Sequence, residues 1–276
     1  MYKKISLFIF MMIIISSTAC SKQDSKETKS KKSEQTAENV AVQTASSITT
    51  LFNENNVTLK LSNIDKTNLS FTIVNQGEQS LTATCHGIAI NSIMTPAFMM
   101  EDVKSGETKT VAIPWNEYST LCNIQKPEDI KSITLDFTCT NGKDEVLLSC
   151  QPKTYDLENF KPKVQLPKNA KEVYNENDFI ISTTPLTQNA DGQTEKDFYI
   201  TNNSKTFCSV ELMNALVNQS DFDCFSFSEI YPGCTFKTTI PFDQMKPIDI
   251  KEFSVDIVAS DIDYNELFNT TIVEKE

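Results

Sequence analysis

Several segments of the chain alternate apolar and polar side chains with a period of two residues. The apolar members of the clearest segments are Phe71 and Ile73, Phe198 and Ile200, and Ile133, Leu135 and Phe137. This period predicts β-strands that bury one face. Turn sequences separate the segments, and they include NQGEQ from Asn75, SGE from Ser105, NGKD from Asn141 and PGC from Pro232. The pattern therefore predicts short strands joined by tight turns.

The strand pattern occurs twice. NENNVTLKLSN from Asn53 resembles NENDFIISTTP from Asn175, residues 75–114 align without a gap with residues 202–241, and IKSITLDF from Ile130 resembles IKEFSVDI from Ile250. Aligned identities include Asn75 with Asn202, Asn91 with Asn218, Phe98 with Phe225, Gly106 with Gly233, Thr108 with Thr235, and Ile113 with Ile240. Because these matches fall at turns and apolar positions in the same order, they indicate an internal duplication.

About seven strands per copy, with turns about every 8 to 12 residues, predict immunoglobulin-like β-sandwiches. The fold class is therefore predicted as all-β, with two tandem sandwich domains at residues 49–151 and 172–276. Residues 152–171 contain three prolines and several lysines. This composition is typical of a semi-rigid linker. The buried Trp and cysteine pair of antibody domains are not evident, so the prediction concerns architecture alone.

The N-terminal residues have the three parts of a secretory signal. Lys3 and Lys4 carry positive charge, residues 5–15 are mostly apolar, and residues 16–19 are small. The apolar stretch of about 11 residues is too short to span a bilayer. Residues 1–19 are therefore predicted to be a signal peptide that is removed.

The sequence STAC at residues 17–20 resembles the lipobox of bacterial lipoproteins, although Ser17 stands where that family usually carries Leu. The resemblance implies that Cys20 becomes the first mature residue and carries lipid such as palmitate. The expected location is then the extracytoplasmic face of the cell membrane, with the lipid on Cys20 as the membrane contact. Because Ser17-x-Ala19 also fits an ordinary signal-peptidase site, the alternative is a freely secreted protein.

Residues 20–48 are expected to form a flexible polar tether. Residues 21–48 contain no aromatic and few branched apolar side chains, so they bury too little surface to offset the entropy of ordering. A coil of this length spans on the order of 30 Å. The whole arrangement resembles acidic surface lipoproteins of low-GC bacteria with tandem Ig-like repeats. Since the shared motifs are turn and core residues, the resemblance implies an architecture and no functional residues.

The composition is strongly acidic. The formal net charge is -12, and all 25 basic residues are lysine. Removal of Lys3 and Lys4 with the signal peptide would change the net charge to about -14. An acidic surface argues against a nucleic-acid partner, which needs cationic contacts to phosphate, and against direct adsorption to anionic lipid.

Cys85 and His86 are adjacent, and their residue types are those of a thiol nucleophile and its general base. Neighbours on a strand point to opposite faces, so this pair is not expected to act together. Cys85, Cys139 and Cys208 align with apolar residues of the other copy and are expected to be buried. Export permits disulfides, and Cys85 with Cys139 is the candidate pair because both should face one core.

No motif predicts a cofactor, a metal centre or a catalytic site. The sequence has one histidine, and it lacks C-x-x-C, H-E-x-x-H and glycine-rich phosphate loops. DIDYNE from Asp261 begins like a calcium loop but carries Glu266 where Gly is needed. Acidic pairs such as Asp221 with Asp223 are expected at solvated strand ends. The chain is therefore predicted not to be an enzyme.

Differences between the copies indicate a candidate partner contact. Ile93, Met94 and Met99 of the first copy are apolar, and the aligned residues of the second copy are polar. Because Phe225 and Phe227 alternate with serines in the second copy, the face that carries Met99 is expected to point outward. Apolar side chains on that face predict a contact surface. The alternative is that they pack against the linker or the second domain.

The predicted function is a membrane-anchored extracytoplasmic lipoprotein that acts as a non-catalytic binding or adhesion module for a protein or glycan. One alternative is an accessory or substrate-receptor lipoprotein of an envelope system. Classical transport receptors alternate helices with strands, whereas this sequence has no long helical period after the signal. Another alternative is a passive spacer, which would differ from a binding module by lacking an exposed apolar patch.

Overall fold

The computed structural model describes residues 49–157 and 166–275, which are built almost entirely from β-strands. These two ranges contain no α-helix, and no helix in them is long and apolar enough to cross a membrane. Both ranges belong to one compact unit, Gln43–Glu276. The predicted signal peptide 1–19 and tether 20–48 lie outside the described residues.

The first repeat comprises residues 49–157. Its strands are β1 (Thr49–Glu54), β2 (Val57–Ile64), β3 (Leu69–Asn75), β4 (Leu81–Cys85), β5 (Ile88–Ile90), β6 (Ile93–Thr95), β7 (Met99–Val103), β8 (Thr108–Ile113), β9 (Ser132–Thr140) and β10 (Val146–Asp156). Two short 3-10 helices, Trp115–Tyr118 and Pro127–Asp129, lie between β8 and β9.

The second repeat comprises residues 166–275. Its strands are β11 (Lys171–Glu176), β12 (Phe179–Thr183), β13 (Thr187–Gln188), β14 (Thr194–Asn202), β15 (Cys208–Val217), β16 (Ser220–Phe222), β17 (Ser226–Ile230), β18 (Thr235–Phe242), β19 (Glu252–Asp261) and β20 (Glu266–Lys275). A 3-10 helix, Pro247–Asp249, precedes β19.

The strands form three sheets. A four-stranded sheet has the order β1-β2-β3-β8, and a five-stranded sheet has the order β16-β15-β19-β20 with β17 also on β15. The third sheet runs β11-β12-β14-β18-β6-β5-β9-β4-β7, with β10 on β9 and β13 on β14. The predicted all-β fold class is confirmed, and the number and boundaries of independently folding domains stay a prediction.

Each repeat has its own apolar core, and the residues that alternate in the sequence lie in it. Phe71 and Ile73 of β3 are fully buried, as are Phe198 and Ile200 of β14. On β9, the inward side chains are Ile133, Leu135 and Phe137. The period of two therefore identified the buried faces of these strands correctly.

Two equivalent buried asparagines hold one loop in each repeat. Asn75 Nδ2 donates hydrogen bonds to the carbonyl oxygens of Val103 (3.2 Å) and Lys104 (3.1 Å). Asn202 Nδ2 donates to the carbonyl oxygens of Thr206 (2.8 Å) and Ile230 (3.2 Å). Both asparagines are almost fully buried. The identity of these residues in the two copies therefore has a structural cause, because buried carbonyl groups need donors.

A second pair of asparagines shapes the turns before β6 and β16. Asn91 Nδ2 donates to the Asp129 carbonyl oxygen, and Asn218 Nδ2 donates to the Asp249 carbonyl oxygen, each at 2.8 Å. The two residues have φ of 52° and 50°. Asparagine tolerates this left-handed conformation better than other side chains do. These matched contacts support the internal duplication.

The predicted linker at residues 152–171 stays a prediction, and its first residues belong to β10, which continues to Asp156. Pro152 lies where the pairing of β10 with β9 shifts register between Cys150 and Lys153. A proline lacks the backbone donor of a regular ladder and is tolerated at such irregularities on edge strands. Residues 158–165 of the predicted linker lie outside the described residues.

Replacing Asn75 with Ala should lower the free energy of unfolding by about 2 kcal/mol, because it leaves buried carbonyl groups without their donor. The matched control is Asn63→Ala on β2, where the asparagine is only half-buried. Chemical denaturation of both variants measures the effect. Equal losses in the two variants would contradict the role assigned to Asn75.

Candidate functional site

The two repeats meet where β6 lies beside β18. The Thr235 N–H donates to the Ser92 carbonyl oxygen at 2.7 Å, and this parallel bridge joins the sheets of the two repeats. Met94 packs within the apolar core cluster of the second repeat. A Cβ added at Gly87 would lie 3.2 Å from both Met94 Cε and Tyr231 Oη. Met94 therefore packs against the second repeat, which is the alternative to an exposed contact surface that the sequence left open.

None of the three predicted contact residues lies on an outer face. Ile93 is 7% exposed, Met94 is 5% exposed and Met99 is 2% exposed. Ile93 and Met99 pack in the apolar core of the first repeat. The prediction of an exposed partner surface at these residues is therefore wrong.

The error arises from the phase of alternation on β7 and β17. On β7, Met99 points inward, whereas Met100 is exposed. On β17, Phe227 is exposed, and Ser226 Oγ lies 2.8 Å from Thr238 Oγ1 of β18. Ser226 is the residue equivalent to Met99, and its pairing with Thr238 lets a hydroxyl lie half-buried at that position. Residue type alone therefore indicated the wrong face.

The polar residues Ser220 and Asp221 have a separate explanation. They lie on β16, the counterpart of β6, at an end of the five-stranded sheet. β6 is covered by β18, whereas β16 has a strand neighbour on one side only. Charged side chains on an open edge discourage pairing with a further strand. The difference between the copies at these positions therefore reflects a covered edge and an open edge.

Four exposed apolar side chains occupy equivalent positions of the two repeats. Phe98 is 67% and Met100 63% exposed in the first repeat, which we call the first apolar pair. Phe225 is 70% and Phe227 52% exposed in the second repeat, which we call the second apolar pair. The alternation of Phe225 and Phe227 with serines predicted that the phenylalanines point inward, and this prediction is wrong. Because both phenylalanines are largely exposed, burial in a core does not explain their identity in the two copies.

A cluster of polar side chains lies at the junction of the repeats. His86 Nδ1 is 2.6 Å from Asp136 Oδ2, and the backbone N–H of His86 donates a hydrogen bond to Asp136 Oδ1 at 2.8 Å. The hydroxyl of Tyr231, from the second repeat, donates to Asp136 Oδ1 and to the Gly87 carbonyl oxygen, and both distances from Oη are 2.9 Å. The single tyrosine proton is therefore shared between two acceptors of the first repeat.

Glu229 extends this cluster from the second repeat. Burial raises the pKa of Glu229, His86 lowers it, and Asp136 raises it further. Glu229 is also two residues before Tyr231, whose hydroxyl contacts Asp136 of the first repeat. Phe227 lies two residues away on the same face of β17. The second apolar pair therefore borders the junction cluster.

The first apolar pair borders the same cluster. Cys85 of β4 pairs with Met99 of β7 in an antiparallel register. His86 and Phe98 are the next residues beyond this pair, and both are exposed. The polar cluster thus lies between apolar side chains of both repeats, an arrangement suited to contact with an amphipathic partner.

Cys85 and His86 point to opposite faces, as the strand pattern predicts. Cys85 is fully buried, whereas the His86 side chain is 54% exposed. Burial raises the pKa of the Cys85 thiol well above its usual value, with a smaller contribution from Asp136. A thiol in this environment is a poor nucleophile. The adjacent residues therefore do not form a nucleophile and its base.

All seven cysteines within the described residues are free thiols, so the candidate Cys85–Cys139 disulfide is not formed. Cys85, Cys139 and Cys208 are fully buried, as expected from their apolar counterparts. Burial raises the pKa of Cys139 and Cys208 to about 12. These thiols therefore serve as small apolar side chains of the cores.

A cleft of about 710 Å³ has walls from both repeats. Lys131, Lys168 and Lys237 line it together with Asp129 and Asp197. Lys237 Nζ is 3.0 Å from Asp197 Oδ2. Because carboxylates accompany the lysines, the cleft does not concentrate charge of one sign and indicates no particular ligand chemistry.

The acidic loop that begins at Asp261 is a hairpin end. Asp261 Oδ1 accepts hydrogen bonds from the N–H groups of Asp263 and Asn265, each at 2.9 Å. Hydrogen bonds, above all from the Asn265 side chain, lower the pKa of Asp261. Asn141 makes the equivalent contacts in the first repeat. In the described part of the chain, no three His, Cys, Asp or Glu side chains are grouped so that they could hold a metal ion.

No protein-family model and no curated protein sequence matches the chain. Among solved structures, an exo-chitosanase of Amycolatopsis orientalis is similar over 80% of this chain and 26% of its own, with 13% identity and a TM-score of 0.26. A red sea bream transglutaminase is 9% identical over 81% of this chain and 32% of its own, with a TM-score of 0.23. A 1.5-MDa bacterial ice-binding adhesin is 12% identical over 76% of this chain and 57% of its own, with a TM-score of 0.21.

The chain spans about a quarter of the chitosanase and about a third of the transglutaminase. Likenesses this distant concern β-rich architecture and carry no argument about activity.

Replacing Glu229 with Gln should make stability less dependent on pH. Because burial raises the folded-state pKa of Glu229 above its ordinary value of 4.5, its contribution to stability is fully present below that value and is lost as pH rises through the folded-state pKa. The variant should therefore gain stability relative to the wild type as pH rises from 4 towards neutrality. Urea unfolding at several pH values measures this, and a constant difference would contradict it.

Proposed function

We propose that this protein is a membrane-anchored, extracytoplasmic binding module that acts without catalysis. Lipid on Cys20 anchors it, and residues 20–48 hold the two repeats away from the membrane surface. Its partner contacts are the first and second apolar pairs. Free secretion remains the alternative to lipid anchoring, and a role as accessory or receptor in an envelope system is one form that binding could take.

The exposure of Phe98 and Phe225 is the observation that carries this proposal. Several other identical positions have structural causes, such as the left-handed turns at Gly106 and Gly233, with φ of 73° and 74°. The two phenylalanines are about two-thirds exposed instead. Large apolar side chains that remain solvated at the same position of two diverged repeats favour a binding role. A passive spacer would not need them.

The setting of the apolar pairs supports the same proposal. They lie on β7 and β17 or directly before them, and both border the polar cluster of His86, Asp136 and Glu229. Exposed aromatic anchors beside polar groups are the usual composition of contact surfaces. The function proposed here requires no cofactor and no chemical step.

A Cys20→Ser variant should lose membrane attachment, because serine has no thiol to accept the lipid. We expect the wild-type protein in the detergent phase of a phase separation and the variant in the medium or unprocessed. N-terminal analysis of the mature wild type provides the second measurement. A wild type in the aqueous phase with a free N-terminus at residue 20 would support ordinary secretion instead.

A Phe98→Ser, Phe225→Ser double variant should lose capture of envelope or host-surface components while its thermal midpoint changes little, since both side chains are exposed. Affinity capture on the immobilised protein, with the bound material quantified, provides the measurement. The matched control is Ile248→Ser, because Ile248 is 71% exposed but lies outside both apolar pairs. Equal capture by the double variant and the wild type would sink the proposal.

A further inference from the structure

The second apolar pair belongs to a broad outer face of the five-stranded sheet. Phe227 lies directly opposite Glu211 of β15, and Glu211 lies opposite Val258 of β19. The neighbouring residues Val210 and Leu212 are fully buried, so Glu211 points outward. We call this surface, which contains Phe225, Phe227, Glu211, Glu229 and Asp256, the acidic face.

The charged residues of this sheet are mostly negative. Its five strands, β15, β16, β17, β19 and β20, carry eight carboxylates and one lysine, and one of these carboxylates, Glu274, pairs with Lys196 of β14 at 2.6 Å. That lysine, Lys275, lies 3.4 Å from Glu252. The corresponding strands of the first repeat, β4 to β7, β9 and β10, carry four carboxylates and one lysine. Each repeat thus presents an apolar pair. The strands around the second apolar pair are more acidic than the strands around the first.

We propose that the acidic face binds a peptide segment that combines lysine or arginine with apolar side chains. This inference rests on the proposed binding function and adds the chemical class of the partner. The apolar side chains of the segment pack on Phe225 and Phe227, and its cations lie near Glu211 and Glu229. Cationic groups also interact favourably with the exposed faces of aromatic rings.

Charge complementarity selects this occupant over the other classes. Anionic lipids and nucleic acids carry the same sign of charge as the acidic face and are repelled by it. An uncharged apolar partner would contact Phe225 and Phe227 but would have to desolvate Glu211 beside them without a compensating charge. A cationic amphipathic segment meets both requirements, because it supplies apolar surface and counter-charges together.

The arrangement predicts separate effects of salt and of the aromatic side chains. Attraction between exposed charges is screened at high ionic strength, so the association rate should fall as salt is added. Contacts with aromatic anchors are less sensitive to salt and mainly govern dissociation. Complexes at high salt should therefore form more slowly and still depend on Phe225 and Phe227.

The test uses the full-length protein in nanodiscs of phosphatidylcholine, with empty nanodiscs as the blank. The probe is a short peptide of lysine, leucine and serine, and its counterpart carries glutamate in place of lysine. Binding is followed by surface plasmon resonance at low and high salt. We expect the lysine peptide to bind with a salt-dependent association rate and the glutamate peptide not to bind.

Matched variants assign the contact to the acidic face. Phe225→Ser with Phe227→Ser should weaken binding of the lysine peptide by about tenfold or more, as loss of central aromatic anchors usually does. Phe98→Ser with Met100→Ser in the less acidic repeat should have a smaller effect, and Ile248→Ser should have none. Glu211→Gln should mainly slow association.

The outcomes separate this inference from the proposed function. Failure of the lysine peptide to bind, or binding unaffected by Phe225→Ser with Phe227→Ser, overturns the inference. If both peptides bind equally and both lose binding in that variant, the apolar pair is a binding site but the cationic class is wrong. The proposed function fails on its own test, when the Phe98→Ser, Phe225→Ser variant still captures envelope or host components.

Discussion

The pairing of β6 with β18 is the contact on which the arrangement of the two repeats depends. It consists of a parallel bridge between Ile93 and Thr235, and Met94 packs behind it in the core cluster of the second repeat. An unpaired strand edge exposes backbone donors and acceptors, and covering it removes a site for unwanted pairing. The same contact brings Tyr231 to Asp136, so the outer side chains of one repeat become neighbours of the other.

Backbone groups that need partners explain which residues the duplication retains. Asn75 and Asn202 bond carbonyl groups at equivalent places, and Asn91 and Asn218 do so at another. Replacement of the buried Asn75 or Asn202 leaves carbonyl groups without their donor, and this lowers stability. The cores could therefore diverge while the asparagines remained, and identity between the copies mostly marks structural constraints.

The sequence predicted the regular strands and turns better than the irregular edges. Phe71, Phe198 and Phe137 lie on strands with neighbours on both sides, where the side-chain pattern alone determines the buried face. β7 and β17 each pair with one strand only, and at equivalent positions Met99 is buried whereas Ser226 is half-buried beside the Thr238 hydroxyl. Hydrophobicity could not identify the inward face of these two strands, because a hydrogen-bonded hydroxyl pair also lies on it. The junction could not be predicted either, because it joins positions far apart in the sequence.

Exposed phenylalanines beside carboxylates also limit which complexes can form. Two copies of the chain could in principle bury their second apolar pairs against each other, since a self-complementary apolar contact requires only two identical surfaces. Such a contact would also bring Glu211 and Glu229 of one copy towards the same residues of the other, and juxtaposed like charges are costly when they are desolvated. The carboxylates therefore oppose self-association through Phe225 and Phe227. They impose no such cost on a cationic partner, so the combination of apolar and acidic side chains selects a partner as well as attracting one.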